Sequence, residues 1–234
     1  VLDDGTLGPL ATWFKNEGSG PNKSRQEAPH LHFATADPSS QYVLACDLGT
    51  DEVLSFTLDS NTSKIELANP RSIKSPEGGG PRHLVIDPQR PMVFVNNEML
   101  SSVSAYRRGA EGRWSRTQTL STLSTGAEAT GNSTAAIALH PNGKWLYVSN
   151  RGHDSLATYE VAADGTLTFI SAQPLEVKIP RSFRIDPSGT WLFAAGQESG
   201  TIRAFPLDPA TGLLGKSADM VQVSKPVCLV LAKP

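Results

Sequence analysis

Arg82, Arg151, Glu98 and His32 are the side chains of this sequence best suited to act on a small anionic molecule. A guanidinium presents a planar fork of donors that fits a carboxylate or a phosphate. Arg181 offers the same chemistry. A glutamate can take or give a proton, and an imidazole titrates near neutrality. Each group also has a purely structural use. An arginine can bond loop carbonyls, His32 can hydrogen-bond a cavity wall, and Glu98 can be the counter-ion of Arg82 or Arg151. That last role is compatible with proton transfer.

Spacing groups these residues. The dipeptides Asp37-Pro38, Asp87-Pro88, His140-Pro141 and Asp186-Pro187 recur at intervals of 50, 53 and 46 residues. Five positions before them stand His32, Arg82, Ala135 and Arg181. Ten beyond stand Asp47, Asn97, Asn150 and Gly196, followed directly by Leu48, Glu98, Arg151 and Gln197. Nineteen beyond, every copy has an aromatic: Phe56, Tyr106, Tyr159 and Phe205. A period of roughly 50 residues belongs to propeller blades and similar arrays.

The elements that must position them are short strands. Helical periodicity is almost absent, and β-branched and aromatic runs alternate with Gly, Pro, Asp and Asn turns. Each copy reads as four strands, as in Leu84–Ile86 before a Pro turn, Trp145–Val148 after one, Ser155–Tyr159, and Gly165–Phe169 after an Asp-Gly turn. The expected fold is all-β: a propeller of four-stranded antiparallel blades in one domain over 1–234, with repeats near 29–76, 77–131, 132–178 and 179–224. A β-sandwich would not repeat in register. The opening Asp4–Leu10 resembles a fourth strand, and Lys225–Leu231 the first strand of a further blade. Either these ends close a small five-bladed ring or N-terminal blades are missing, and the second is the expectation.

In such a blade the start of strand one and the end of strand two meet at the channel mouth. A pure scaffold would hold these positions alike. Here they vary and most are polar or ionisable, which marks a binding site. Asn97, Asn150 and Arg181 join the substrate-contact set on these grounds. The polar loops Gly18–Ala28, Ser72–Gly80 and Ser121–Ser133 precede a first strand and suit a binding face. His30 and His83 suit loop or blade packing, His140 a turn, and His153 and Asp154 a solvated loop.

Composition excludes several classes. A net charge of −2 over 234 residues gives no basic face for nucleic acid or a membrane surface. No apolar run has the length of a membrane helix. The opening Val1-Leu2-Asp3-Asp4 is not a signal peptide, and a cytoplasmic location is expected. There is no phosphate-binding glycine loop, no Gly-x-Ser-x-Gly elbow and no zinc spacing, so neither cofactor nor metal is expected. Gly78-Gly79-Gly80 precedes a strand and reads as a turn. Cys46 and Cys228 lie in apolar runs and read as two buried free thiols.

Pro29-His30-Leu31-His32, Gly80-Pro81-Arg82-His83, Val95-Asn96-Asn97-Glu98, Tyr147–Gly152 and Ile179–Phe183 together resemble the seven-bladed propeller lactonase family. That family includes a bacterial type of 6-phosphogluconolactonase and the fungal carboxy-cis,cis-muconate cyclase. The resemblance implies a seven-bladed ring of which this chain is the C-terminal two-thirds, with a site at the channel mouth. On its pattern His32, Arg82, Glu98 and Arg151 match the cyclase's proposed catalytic set. His83, Asn97, Asn150 and Arg181 are expected as substrate contacts beside them. Hydrolysis of an anionic sugar lactone is the first expectation. Lactone formation from a muconate-type acid and a non-catalytic scaffold are the alternatives.

Overall fold

The computed structural model of the chain describes residues 2, 4–37, 42–59, 61, 62 and 64–232. Its strands form four-stranded antiparallel sheets in sequence order. The first holds β1 (Leu31–Ala36), β2 (Tyr42–Asp47), β3 (Glu52–Asp59) and β4 (Lys64–Lys74). The second holds β5 (Pro81–Ile86), β6 (Met92–Asn97), β7 (Ser102–Arg108) and β8 (Trp114–Ser121). The third holds β9 (Ser133–Leu139), β10 (Trp145–Arg151), β11 (Ser155–Val161) and β12 (Leu167–Pro174). The fourth holds β13 (Pro180–Ile185), β14 (Trp191–Gly196), β15 (Thr201–Pro206) and β16 (Asp219–Gln222). Among the described residues there is no helix.

The core lies between sheets. Leu44, Val53, Leu84, Val95 and Tyr106 pack between the first and second sheets. Phe94, Val103, Leu146, Val148 and Tyr159 pack between the second and third. Tyr147, Leu156, Phe183, Leu192 and Phe205 pack between the third and fourth. The repeated aromatics Phe56, Tyr106, Tyr159 and Phe205 are all buried. A second strand such as β6 is buried at every residue, whereas the outer β8 alternates half-buried and exposed positions. A face packed on both sides needs continuous apolar character, and a solvent-facing one needs alternation.

The turns carry their own chemistry. Asp87 Oδ1 accepts the backbone N–H groups of Gln89 and Arg90 at 2.9 and 3.2 Å. His140 fills the same place, accepting Asn142 N–H on Nδ1 and bonding Gly189 O in the next sheet through Nε2 at 2.8 Å. Of the first anchor, Pro38 lies outside the described residues. Fourteen positions beyond each anchor the chain turns left-handed, at Asp51, Ser101, Asp154 and Gly200, with φ of 55°, 46°, 53° and 64°.

Three expectations need correction. Asp4–Leu10 forms no strand: Leu2 N–H to Thr6 O at 2.8 Å closes a turn, and Leu7 and Leu10 are exposed. Lys225–Leu231 forms no strand either. It meets β13 through side chains, with Leu229 N–H on Ser182 Oγ at 3.3 Å and Arg184 Nε on Leu229 O at 3.0 Å. A strand exists only where a neighbouring backbone offers a ladder, and neither segment has one among the described residues. Cys228 in that last segment is exposed, while Cys46 is buried; both thiols are free.

Candidate active site

Each inner strand breaks register at one place. In β1 the partners of Leu31 and Phe33 are Asp47 and Cys46, so His32 is an extra residue. In β5, Pro81 and His83 face Asn97 and Asn96, leaving Arg82 over. In β13, Pro180 and Ser182 face Gly196 and Ala195, leaving Arg181 over. In β9 the shift falls at Ala135 and Ala136, opposite Ser149. A bulge bends its strand and re-aims one side chain. The varying positions five before the anchors are therefore bulge residues.

The bulges are held by side chains. Asn96 Oδ1 accepts His83 N–H at 3.1 Å, and its amide donates to Thr134 Oγ1 and Ala135 O at 2.8 and 3.2 Å. Ser149 Oγ accepts Ala136 N–H at 3.0 Å in the next sheet. Arg82 lies over Ala135 and donates from Nη1 to its carbonyl at 2.5 Å. A small residue in the β9 bulge leaves the room that this guanidinium fills.

Glu98 sits among three arginines. Its Oε2 is 2.8 Å from Arg82 Nε and 3.2 Å from Arg151 Nη2. Its Oε1 accepts a hydrogen bond from Arg25 Nη2 at 2.8 Å. Arg82 Nε is close to the carboxylate but off the hydrogen-bond line, so that contact is an ion pair. Arg151 also donates to Thr134 O at 3.0 Å, and its Nε is buried without a hydrogen-bond partner. Burial acts to raise the Glu98 pKa, but Arg151, Arg25 and Arg82 outweigh it and hold the carboxyl below its ordinary value. Glu98 is thus a carboxylate with both oxygens engaged.

The His32 and His83 rings are in contact, with centres 5.1 Å apart and planes tilted by 56°. Desolvation, then the charges of Arg82 and Arg181, push the His32 imidazole down to about 4 against the pull of Glu98. Because His32 is exposed, the arginine field is the sturdier of these causes. His83 is driven down to about 2, first by desolvation and then by Arg82. Its Nε2 accepts a hydrogen bond from Arg82 Nη1 at 3.1 Å, which a protonated ring could not do. Both rings are neutral at pH 7.

A cavity of about 510 Å³ opens at this end, lined by Arg25, His32, Leu48, Glu98, Arg151 and Arg181 among others. Of the candidates named from sequence, it gathers His32, Glu98, Arg151 and Arg181. Arg82 stands behind Glu98 with its side chain only 2% exposed. His83 lines a separate cavity between the inner strands, with Phe33, Ala136 and Phe183. Asn97 and Asn150 are turned into their own sheets. Asn97 donates to Ser102 and Ser104 at 2.9 and 3.0 Å, and Asn150 to Thr122 O and Ser155 Oγ at 2.9 and 3.1 Å. Among the described residues no cluster of His, Cys, Asp or Glu could hold a metal ion. No helix is long and apolar enough to cross a membrane.

Sequence reasoning singled out neither Asn96 nor Arg25. Arg25 comes from the Gly18–Ala28 loop, whose length and polarity were its only signal. Gln26 fixes that loop. It is fully buried, and its Nε2 donates to Leu48 O at 2.9 Å and Asp51 Oδ1 at 2.8 Å. Asp51 also accepts Gly78 and Gly80 N–H at 2.7 and 2.8 Å, tying the loop to the turn before Arg82.

Consecutive four-stranded blades with a cationic mouth at their inner strands define a β-propeller with a site at one end of its channel. The chain belongs to the seven-bladed β-propeller lactonase family. The family profile described as "Lactonase, 7-bladed beta-propeller" matches residues 1–231. A 6-phosphogluconolactonase of Bacillus subtilis is 34% identical over 98% of this chain and 64% of its own length. A crystal structure of a putative 6-phosphogluconolactonase from Bacteroides fragilis matches with a TM-score of 0.87 and 36% identity, over 97% of this chain and 64% of that one. The periplasmic gluconolactonase of Pseudomonas aeruginosa matches with a TM-score of 0.91 and 30% identity, over 100% of this chain and 65% of that one. The chain therefore spans a little under two thirds of these relatives.

Proposed function

We propose that the protein is a lactonase of the 6-phosphogluconolactonase type, acting on an anionic sugar lactone. The observation that carries this reading is the cavity itself, in which Arg25, Arg151 and Arg181 outnumber the ionised Glu98 and the exposed Glu27, beside the neutral His32. The names of the relatives support the same reading.

Hydrolysis of a lactone needs a base for water, a stabiliser for the carbonyl oxygen and an acid for the leaving oxygen. His32 is the proton carrier in this scheme. Neutral at pH 7, it takes a proton from water as the water oxygen bonds the carbonyl carbon. Negative charge then grows on the carbonyl oxygen and is met by Arg151. When the ring C–O bond breaks, the departing alkoxide takes the proton back from His32. Glu98 does not serve as the acid, since it holds no proton. It anchors Arg151 and, through Arg82, the floor of the site.

The test is acid release from 6-phosphogluconolactone by the intact protein. A rate above spontaneous hydrolysis, lost in His32→Asn and Arg151→Ala, is expected. A rate no better than the spontaneous one rejects this substrate.

A further inference from the structure

Three arginines on one carboxylate are more than charge compensation needs, and they are not equivalent. Arg82 is buried, Arg151 is partly so, and each holds a second acceptor, Ala135 O and Thr134 O. The Arg25 side chain is 53% exposed, and Glu98 is its only hydrogen-bond partner among the described residues. A half-exposed ion pair of this kind contributes little net stability. Removing it leaves Glu98 with two arginines, so no buried charge is orphaned.

The loop that carries Arg25 is tied down by hydrogen bonds, while its side chain is half exposed. Gly20 N–H bonds Gln26 O at 2.9 Å, and Gln26 Oε1 accepts Asn22 N–H at 3.1 Å. A Cβ on Gly20 would meet the Gln26 amide at 2.5 Å, so the loop closes tightly on that side chain. Across the same cavity Arg181 has no carboxylate partner among the described residues. Two guanidinium groups, one weakly engaged and one without a carboxylate partner, therefore line the same cavity.

We propose that Arg25 is a specificity residue that exchanges Glu98 for the anionic group of the incoming lactone, closing on it together with Arg181. The inference rests on the lactonase reading above. The ligand group is a phosphomonoester or a carboxylate, either of which a guanidinium can grip through two parallel hydrogen bonds, whereas Arg25 holds a single oxygen of Glu98. Glu98 Oε1 is released only when such a group is present. The groups then left facing Glu98 are Arg82 from β5, Arg151 from β10, Arg181 from β13 and His32 from β1. Its basicity rises on binding, so a neutral lactone would meet a site that is differently charged from the one an anionic lactone meets.

The experiment compares kcat/KM of the intact protein on 6-phosphogluconolactone and on uncharged glucono-lactone, in wild type, Arg25→Ala and Arg25→Lys. Loss of one charged hydrogen bond predicts a fall of about ten- to a hundredfold on the phosphorylated lactone. The neutral lactone should change by less than about threefold, and Arg25→Lys should restore part of the loss. A second arm measures binding of 6-phosphogluconate by calorimetry. Glu98→Gln removes the competitor for Arg25, so it should bind this anion more tightly than wild type, and Arg25→Ala in that background should abolish the gain. Equal losses on both lactones, no loss on either, or no tightening in Glu98→Gln would overturn the role of Arg25. Failure of wild type to hydrolyse either lactone would reject the lactonase reading instead, and the binding arm would still decide Arg25.

Discussion

Arg82 Nε and Glu98 Oε2 lie 2.8 Å apart at the open end of the β5–β6 hairpin, both side chains almost wholly out of solvent. The bulge at Arg82 and the residue directly after β6 are brought together by the antiparallel register, in which Pro81 pairs with Asn97. Desolvation pulls the Arg82 pKa down to about 10, with Glu98 acting against it. The guanidinium stays charged at pH 7 and holds the carboxylate from behind. Arg82 thus braces Glu98 from outside the cavity, and the arginines that line the cavity are Arg25, Arg151 and Arg181.

Removing the two partners should have unequal effects. Glu98→Ala leaves Arg82 and Arg151 as buried cations with no counter-ion, and breaking a buried pair in this way costs about 3 to 5 kcal/mol. Arg82→Ala leaves Glu98 still paired with Arg151 and Arg25, and should cost less. Urea unfolding midpoints at pH 7 check the order. Equal losses would mean that the three arginines do not share the carboxylate.

The seams between blades offer a second prediction. Gly212 has φ of 70°, and a Cβ there would come within 2.4 Å of the Trp145 ring of the preceding blade. Gly165 has the same relation to Met92, at 2.7 Å. Both substitutions strain a left-handed backbone, since Gly165 has φ of 83°. Gly212→Ala must also push a buried indole, whereas Gly165→Ala meets a flexible thioether. Losses of about 2 to 3 kcal/mol for the first and about 1 kcal/mol for the second are expected, read from thermal unfolding.

The blade repeat was legible because every copy spends the same residues on the same turns and the same buried aromatic. The site was legible in part. Offsets from the anchors pick out the bulge, since scaffold positions repeat and His32, Arg82 and Arg181 do not. They could not separate Asn97 from Glu98 or Asn150 from Arg151. Neighbours along a strand face opposite ways, and only the register tells which one meets the cavity. Arg25 was hidden for another reason: it lies in a loop outside the repeat and reaches a carboxylate 73 positions away. The end segments were over-read, because a sequence with strand character still needs a partner.

Asp51 should prove as sensitive as the site it supports. It accepts three hydrogen bonds, from Gln26, Gly78 and Gly80, while nearly buried and left-handed. Asp51→Ala strands those donors and places a Cβ residue without a polar head at positive φ, for a loss of about 3 kcal/mol. Asp51→Asn keeps an acceptor and tolerates the backbone, so it should retain most of the stability. Arg25 and Arg82 flank this knot. Activity on an anionic lactone should therefore fall in Asp51→Ala even at temperatures where the protein remains folded, a separation that circular dichroism and rate assays can make on one sample.

The two histidines set the pH dependence. Their ordinary value is 6.5, and the folded protein lowers His32 to about 4 and His83 to about 2. Below pH 6.5 the unfolded chain therefore takes up protons that the folded chain refuses. Unfolding free energy rises with pH wherever the unfolded state binds more protons, so stability falls as pH drops from 6.5 towards 4. Below about 4 His32 protonates in the folded state too, and its share stops growing. Glu98, held below its ordinary 4.5, adds a loss of the same sign only below that value. The slope between pH 6.5 and 4.5 is thus a histidine effect. Glu98→Gln should leave it in place, while His83→Asn should flatten it. The rate should follow the same logic. With His32 as the base, the acid limb of kcat/KM for 6-phosphogluconolactone should lie near pH 4, and His32→Asn should remove that limb along with most of the rate. A limb near pH 6.5 in the wild-type protein would show that desolvation and the arginines do not depress His32.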